Sequence, residues 1–241
     1  MQKDKCKYYC YKKIQKKTVN SIKNMDKLEL VIFDMDGVLT DIYSSWKYVH
    51  NYYNSSNDKS VEAYLKGQID DMEFIRRDVN LWQEDGKPIK KEKLAEILAD
   101  VPLMKGAEKC ISFLKEKDIK TAIVSAGLDI LAERVGNELG IDNIFSNGIK
   151  VDDEGYLTNE GILNVKLMYK NEAIEKIAEY LEIPLKRIAS VGNSCFDITM
   201  FEICGVGIAF NPDDDCTMKY ADYTIKIKDL SLILKILEKY C

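Results

Sequence analysis

Two aspartates one residue apart follow the first strongly apolar segment of the chain. Asp34 and Asp36 come just after the apolar run over residues 28–32, and Gly37 lets the backbone turn. Alternate residues of a strand share a face, so both carboxylates can point at one bound ion or phosphate. Buried carboxylates cost stability unless they are paired or hold a metal. The pair is therefore a candidate site, although an ordinary Asp-Gly turn explains the same residues.

A small hydroxyl residue ends a second apolar run, over residues 119–124. Ser125 is followed by Ala126 and Gly127, and a helix is predicted from residue 128. A hydroxyl with nearby free backbone N–H groups can bind an anion at such a place. A serine that caps the helix is the structural alternative.

A lysine stands at the start of a helix predicted over residues 171–181. The helix dipole disfavours a cation at this end, so a nearby anion would stabilise Lys170. A solvent-exposed lysine is the ordinary alternative, and Lys166 is the nearest competitor for the same role.

Two oxygen-bearing side chains follow the predicted strand over residues 187–191. Asn193 and Asp197 lie four residues apart at a strand-to-helix turn. Mg²⁺ prefers oxygen ligands, which both residues offer. The alternative is a glycine turn in which Asp197 caps the next helix.

The elements that must position these residues alternate along most of the chain. Helices are predicted near residues 45–53, 59–67, 70–83 and 90–99, and then at 106–117, 128–139, 171–181, 197–204 and 230–240. Strands are predicted over residues 28–32, 119–124, 144–151, 156–158, 187–191, 206–210 and 223–227. This order predicts an α/β fold, with a doubly wound, Rossmann-like parallel sheet and a helical cap inserted after the first strand. Ligands bind at the carboxyl edge of such sheets, where all four signatures fall.

Three parts are predicted. Residues 1–24 carry eight lysines and one aspartate and form a basic N-terminal extension. We expect a disordered tail or a start codon assigned too early there, and a basic arm for an acidic surface is the alternative. Residues 25–42 and 104–241 form the core, and residues 43–103 form the cap.

Composition excludes several classes of function. A net charge of −5 argues against nucleic acid as the main partner. No apolar run approaches the roughly 20 residues of a membrane span, so no membrane partner is expected. The seven cysteines include no C-x-x-C pair, and we expect reduced thiols in a cytoplasmic protein. His50 is the single histidine, so the chemistry must rest on carboxylates, hydroxyls and lysine.

Taken in order, the motifs D-x-D, Ser, Lys and G-N-x-x-x-D resemble the haloacid dehalogenase superfamily over nearly all of residues 28–238. Residues 124–130 and 197–201, and the run 206–210 followed by 221–223, are similar to the phosphoserine phosphatase branch and its archaeal-type relatives.

The resemblance implies a Mg²⁺-dependent phosphomonoester hydrolase that acts on a small phosphorylated metabolite. It implies that Asp34 attacks phosphorus and becomes an aspartyl-phosphate, while Asp36 acts as general acid and base. The resemblance implies that Mg²⁺ is bound by Asp34, Asp36, Asn193 and Asp197. It implies that the phosphoryl oxygens are bound by Ser125, Ala126 and Lys170.

This chain departs from the family pattern at two places. Asn193 stands where the family usually has an aspartate, so weaker metal binding is expected. In the cap, Tyr43 occupies about the position of an acidic residue that binds the substrate's ammonium group. Arg76 and Arg77 lie near the position of an arginine that binds its carboxylate. Phosphoserine is thus the first candidate among several small phosphomonoesters.

Two other functions remain open on the same scaffold. Asn193 is compatible with a weakly active or non-catalytic protein that binds a phosphorylated ligand. Transfer of the phosphoryl group to an acceptor other than water would use the same aspartyl-phosphate. The sequence gives no indication of the oligomeric state.

Overall fold

A seven-stranded sheet forms the centre of the structure, a computed structural model that describes residues 25–241. The predicted basic extension lies outside the described residues. The seven strands of this sheet are β1 (Leu30–Phe33), β4 (Lys120–Leu128), β5 (Asn143–Val151), β6 (Leu157–Ile162), β7 (Ile188–Gly192), β8 (Val206–Phe210) and β9 (Tyr223–Ile225). Two short strands, β2 (Gln83–Glu84) and β3 (Lys87–Pro88), pair with each other outside it. The sheet order is β6-β5-β4-β1-β7-β8-β9. All neighbours in it are parallel except β5 and β6.

The chain winds in opposite directions on the two sides of β1. β4 and β5 lie on one side of β1, and β7, β8 and β9 lie on the other. β1 is buried along its whole length, as expected for a central parallel strand. The carboxyl end of β1 is therefore the topological switch point, where ligands bind in open α/β folds. This confirms the predicted doubly wound sheet and puts Asp34 at the switch point.

The helices largely follow the sequence prediction. They are α1 (Ser45–Tyr52), α2 (Asp58–Leu65), α3 (Asp71–Val79), α4 (Lys91–Ala99), α5 (Ala107–Glu116), α6 (Asp129–Leu139), α7 (Asn171–Tyr180), α8 (Ile198–Ile203), α9 (Asp215–Tyr220) and α10 (Leu234–Leu237). Gly140 ends α6 in the left-handed conformation with a φ of 70°, as its position after the predicted helix indicated.

Several elements differ from the prediction. β2 and β3 form a small antiparallel hairpin in the cap, where only helix was predicted. Its turn residues Asp85 and Gly86 have φ values of 51° and 74°, which suit a tight hairpin turn. α9 was missed; Asp214 caps it by accepting a hydrogen bond from the Thr217 N–H. β4 runs four residues past its predicted end. The closing helix is broken, with α10 flanked by two 3₁₀ turns.

The cap packs on the sheet through a shared apolar core. Trp82 and Leu94 of the cap belong to the same cluster as Leu128 and Leu131 at the carboxyl end of β4 and the start of α6. All four side chains are buried. The predicted cap segment, residues 43–103, contributes no strand to the main sheet. The division at residues 42 and 104 stays a prediction.

Cysteine chemistry differs in part from the expectation. Cys110, Cys204, Cys216 and Cys241 are free. The prediction is wrong for Cys195, which is disulfide-bonded. Within residues 25–241, no helix combines the length and apolar character needed to cross a bilayer.

Candidate active site

A cavity of about 420 Å³ lies between the carboxyl end of the sheet and the cap. Residues from four separate parts of the core line it. They are Asp34, Asp36, Ser125, Ala126, Lys170 and Asn193. The sheet therefore brings together six of the predicted site residues, which are spread over 160 positions of sequence, because each follows or faces the carboxyl end of a parallel strand.

A buried lysine joins two aspartates at the floor of this cavity. Lys170 Nζ lies 2.9 Å from Asp34 Oδ1 and 2.6 Å from Asp197 Oδ1. All three side chains are almost fully buried. Lys170 is the N-cap of α7, where the helix dipole disfavours it, so the two carboxylates supply the anions predicted from its position.

The charges of this cluster alter one another's ionisation. Burial alone would lower the pKa of Lys170, but attraction to Asp197 and Asp34 outweighs burial and raises it above its usual value. Burial raises the pKa of Asp34 to about 7. Lys170 opposes that rise, while the nearby charges of Asp197 and Asp36 add to it. Lys170 thus stays charged and offsets part of the repulsion among the three carboxylates.

The two oxygens of Asp34 have different surroundings. Oδ1 accepts hydrogen bonds from the Met35 N–H, at 2.8 Å, and from Lys170. Within the described part of the chain, no donor is bonded to Oδ2. The backbone is held as well, because the Asp34 N–H donates to the Val191 carbonyl on β7 (2.9 Å). The carboxylate is fixed through one oxygen and keeps the other available for a ligand.

Asp36 is held by the first residue of α1. The N–H and the hydroxyl of Ser45 both donate to Asp36 Oδ2, each at 2.8 Å. Oδ1 is buried and has no hydrogen-bond partner among the described residues. Burial raises the pKa of Asp36, and the two bonds from Ser45 limit the rise. Asp36 therefore has one fixed oxygen and one that can carry a proton.

Ser45 was not predicted as a site residue. Its hydroxyl also accepts a hydrogen bond from the Leu128 N–H (3.0 Å), so one side chain links the cap, Asp36 and the end of β4. The link requires close approach: a Cβ at Gly127 would lie 2.8 Å from Ser45 Oγ and 2.9 Å from Asp36 Oδ2. No local sequence signal marks Ser45, because its role depends on how the cap packs on β4.

Ser125 and Ala126 lie at an interruption of the sheet. The register between β4 and β5 shifts between Val124 and Leu128, so the intervening residues leave the regular ladder. Ser125 is buried and its hydroxyl accepts a hydrogen bond from the Gly127 N–H (3.2 Å). The Ala126 carbonyl accepts a bond from the Trp46 indole N–H (3.0 Å). Both residues line the cavity, and their contact with phosphate stays a prediction.

Asn193 packs against the turn that follows Asp36. Gly37 has a φ of +76°, and its hydrogen faces the Asn193 amide nitrogen so closely that no Cβ would fit. Residues 25–241 contain no group of three or more His, Cys, Asp or Glu side chains arranged to hold a metal ion. The predicted set joins the Asn193 amide oxygen to the carboxylates of Asp34, Asp36 and Asp197, and these three carboxylates do not form such a group. Carboxylate and amide oxygens are donors that suit Mg²⁺, and an amide brings less negative charge than a carboxylate would in its place.

Both oxygens of Asp197 already contact donors of the protein. Oδ1 binds Lys170, and Oδ2 accepts the N–H groups of Asn193 (2.9 Å) and Ser194 (3.0 Å). It is fully buried. Asp197 therefore positions Lys170 and the loop that carries Asn193, and its predicted role at the metal stays a prediction.

Only one of the three cap residues predicted to contact substrate reaches the cavity. Tyr43 lines it and is half exposed. Arg76 and Arg77 do not line it. Both guanidinium groups bind Glu73 at 2.7 Å on the surface of α3, and their side chains are 49% and 43% exposed. The structure does not bring either arginine to the site.

A second unpredicted contact ties the cap to the loop before Lys170. Asp71, at the start of α3, accepts hydrogen bonds from the Leu167 N–H (2.9 Å) and the Tyr64 hydroxyl (3.0 Å). Asn147 holds the same loop, because its amide binds both the N–H and the carbonyl of Val165 at 2.8 Å. These bonds fix the approach of Lys170 to the sheet.

Comparisons with known proteins identify the family of the chain. A model of haloacid dehalogenase-like hydrolases matches residues 28–205. The phosphoserine phosphatase of Methanocaldococcus jannaschii is 31% identical over 215 residues, which cover 88% of this chain and 99% of that protein. The phosphoserine phosphatase of Idiomarina loihiensis is 30% identical over 213 residues, with coverages of 87% and 94%.

Solved structures give the same result. A substrate-bound phosphoserine phosphatase complex is similar with a TM-score of 0.74 and 28% identity, over 88% of this chain and 99% of that one. A phospho-aspartyl intermediate analogue of phosphoserine phosphatase has a TM-score of 0.74 and 30% identity, with the same coverages.

Proposed function

The chain belongs to the haloacid dehalogenase-like hydrolase family and is a phosphatase, and we propose that it hydrolyses a small phosphomonoester through an aspartyl-phosphate on Asp34, with Mg²⁺ as cofactor. The observation that carries the proposal is the Asp34 carboxylate at the switch point, with Oδ1 bound by Lys170 and Oδ2 without a donor. Phosphoserine is the first substrate to assay, because the similar proteins are phosphoserine phosphatases. A place in the cytoplasm stays a prediction.

In the first half of the reaction, Asp34 Oδ2 attacks phosphorus and the bond from phosphorus to the alcohol oxygen breaks. Asp36 gives its proton, held on Oδ1, to the departing alkoxide, because Oδ2 is already bound by Ser45. Lys170 and the Ser125 hydroxyl bind phosphoryl oxygens and offset the negative charge that develops on them.

In the second half, water attacks the aspartyl-phosphate. Asp36 accepts the proton of this water at Oδ1, and the acyl phosphate bond breaks to give inorganic phosphate and free Asp34. Mg²⁺, held by Asp34, the Asp36 carbonyl and the Asn193 amide oxygen, would neutralise the charge of the phosphate. The residues are restored at the end of the cycle, so the reaction needs no other reactant.

Removal of divalent metal is expected to abolish turnover. Without a cation, the Asp34 carboxylate and the phosphate dianion repel one another in a buried site, and Lys170 alone is already shared between two aspartates. Phosphate release from p-nitrophenyl phosphate and from phosphoserine should fall to background in EDTA and recover with excess Mg²⁺. Turnover that persists in EDTA would contradict the proposed metal-dependent mechanism.

Substitution of Asn193 by aspartate is expected to tighten Mg²⁺ binding on the order of tenfold, because it adds a negative ligand. Titration calorimetry with Mg²⁺, on wild type and on Asn193→Asp, measures this directly. Equal affinities would show that Asn193 is not a metal ligand. A wild type that binds phosphoserine without releasing phosphate, alongside an active Asn193→Asp variant, would instead support a phospho-ligand binding protein.

A further inference from the structure

The cap end of the cavity is acidic and apolar. Of the cavity-lining residues in α2 and α3, three are aspartates: Asp58, Asp71 and Asp78. Between them lie apolar walls, which include Val61 and Phe74. A leaving group bound under the cap therefore meets carboxylates and hydrocarbon.

One of these aspartates is buried with an oxygen left unpaired. Asp78 is 3% exposed. Its Oδ2 accepts a hydrogen bond from the Asn57 amide (2.8 Å) and lies 3.3 Å from His50 Nε2. Its Oδ1 has no partner among the described residues. Buried carboxylates cost stability unless a partner offsets them, so this oxygen is a candidate ligand-binding group.

The neighbouring histidine does not satisfy the free oxygen of Asp78. The Trp82 indole N–H donates to His50 Nδ1 at 3.1 Å. His50 Nε2 lies 3.3 Å from Asp78 Oδ2 and makes no hydrogen bond among the described residues. Asp78 Oδ1 is therefore left without a partner inside the cap.

Positive charge is scarce at this end. Among the described lining residues of the cap, Lys47 is the one cationic side chain. Arg76 and Arg77 bind Glu73 at the surface. Lys170 lies at the phosphate end and is shared by two aspartates. A leaving group that bears a carboxylate would face three aspartates and a single lysine.

We propose that the cap binds an ammonium group through Asp78, and that the preferred substrates are phosphate esters of amino alcohols that carry no carboxylate. The proposal rests on the proposed phosphomonoesterase activity and defines the class of its substrate. A phosphomonoester of this class places its phosphate on Asp34 and Lys170 and its ammonium group toward Asp78. The carbon chain of the substrate then contacts the apolar wall of the cavity.

The matched substrates O-phosphoethanolamine and O-phosphoserine test the proposal, because they differ in a single carboxylate. We expect kcat/KM for O-phosphoethanolamine to exceed that for O-phosphoserine about tenfold or more, since like charges that face one another are strongly disfavoured. An equal or higher value for O-phosphoserine would overturn the proposal. Hydrolysis of p-nitrophenyl phosphate, which has neither group, reports the underlying activity separately.

Substitution of Asp78 by asparagine tests the residue itself. Asp78→Asn should lower kcat/KM for O-phosphoethanolamine about tenfold more than it lowers kcat/KM for p-nitrophenyl phosphate. Asp85→Asn, in the exposed hairpin turn, is the control and should change neither. Equal losses on both substrates would overturn the role of Asp78.

Binding separates the substrate class from catalysis. Calorimetry on the Asp34→Asn variant should give tighter binding of O-phosphoethanolamine than of O-phosphoserine, whether or not turnover is measured. The reverse order would overturn the inferred substrate class and leave the phosphatase activity intact. Failure of every ester to be hydrolysed by the wild type, with this binding order preserved, would overturn the proposed function alone.

Discussion

Replacement of Asp34 by asparagine is expected to reduce phosphate release by roughly 10⁴-fold or more, since loss of a covalent nucleophile removes the chemical route itself. An amide has the shape of the carboxylate but does not attack phosphorus. It still accepts the Met35 N–H through its oxygen. The measurement is steady-state hydrolysis of p-nitrophenyl phosphate with saturating Mg²⁺.

The same variant should remain folded. Asp34 is buried beside Asp197 and Asp36, and both charges oppose its ionisation, so a neutral side chain at this position relieves repulsion. Urea unfolding should therefore give a free energy of unfolding no lower than that of the wild type. A folded Asp34→Asn protein with wild-type turnover would rule out Asp34 as the nucleophile.

Replacement of Lys170 by methionine is expected to abolish activity and also to destabilise the fold. Methionine has a similar length but no charge, so Asp34 and Asp197 would face each other without a cation. Removing one partner of a buried ion pair costs about 3–5 kcal/mol, because the remaining charge is left uncompensated. Urea unfolding measures the stability, and phosphate release measures the activity.

A matched control is available four residues away. Lys166 also pairs with a carboxylate, that of Glu172 at 2.8 Å, but its side chain is 45% exposed. Lys166→Met should therefore cost no more than about 1 kcal/mol. Equal losses in the two lysine variants would show that the buried cluster around Lys170 does not contribute as described.

The double variant Lys170→Met, Asp34→Asn separates the two effects. Asparagine at position 34 removes one of the two carboxylates that Lys170→Met leaves unpaired. The double variant should regain part of the lost free energy of unfolding and no activity. A double variant as unstable as Lys170→Met would show that repulsion between Asp34 and Asp197 is not the cause.

The sequence was sufficient to predict the central sheet and the residues that form the floor of the cavity. Strand β1 is continuous apolar sequence, and the residues that follow each parallel strand must meet at one edge. Asp34, Asp36, Ser125, Lys170 and Asn193 could therefore be assigned to one place before any coordinates were known. Their partners were less accessible: the sequence indicated that Lys170 needs an anion, and only the structure shows that Asp34 and Asp197 provide it.

The helices of the cap were predicted from the sequence, but most of the cap side chains that line the cavity were not. Arg76 and Arg77 were placed near the substrate by position in the chain, yet both face outward from α3 to Glu73. Asp78, one residue further along the same helix, faces inward. A shift of one residue rotates a side chain by about 100° around a helix, so an uncertainty of one position decides which residue lines the cavity.

By itself, the sequence determined the α/β class and the order of the motifs, because both follow from local patterns of apolar residues and from residue types. The division of labour between Asp34 and Asp36 is implied by the family resemblance and stays a prediction. Only the tertiary structure decided that Ser45 holds Asp36, that Asp197 contacts Lys170, and that Asp78 lines the cavity. Each of those roles depends on how the cap or a loop packs against the sheet, and contacts between distant segments leave no periodic signal in the chain.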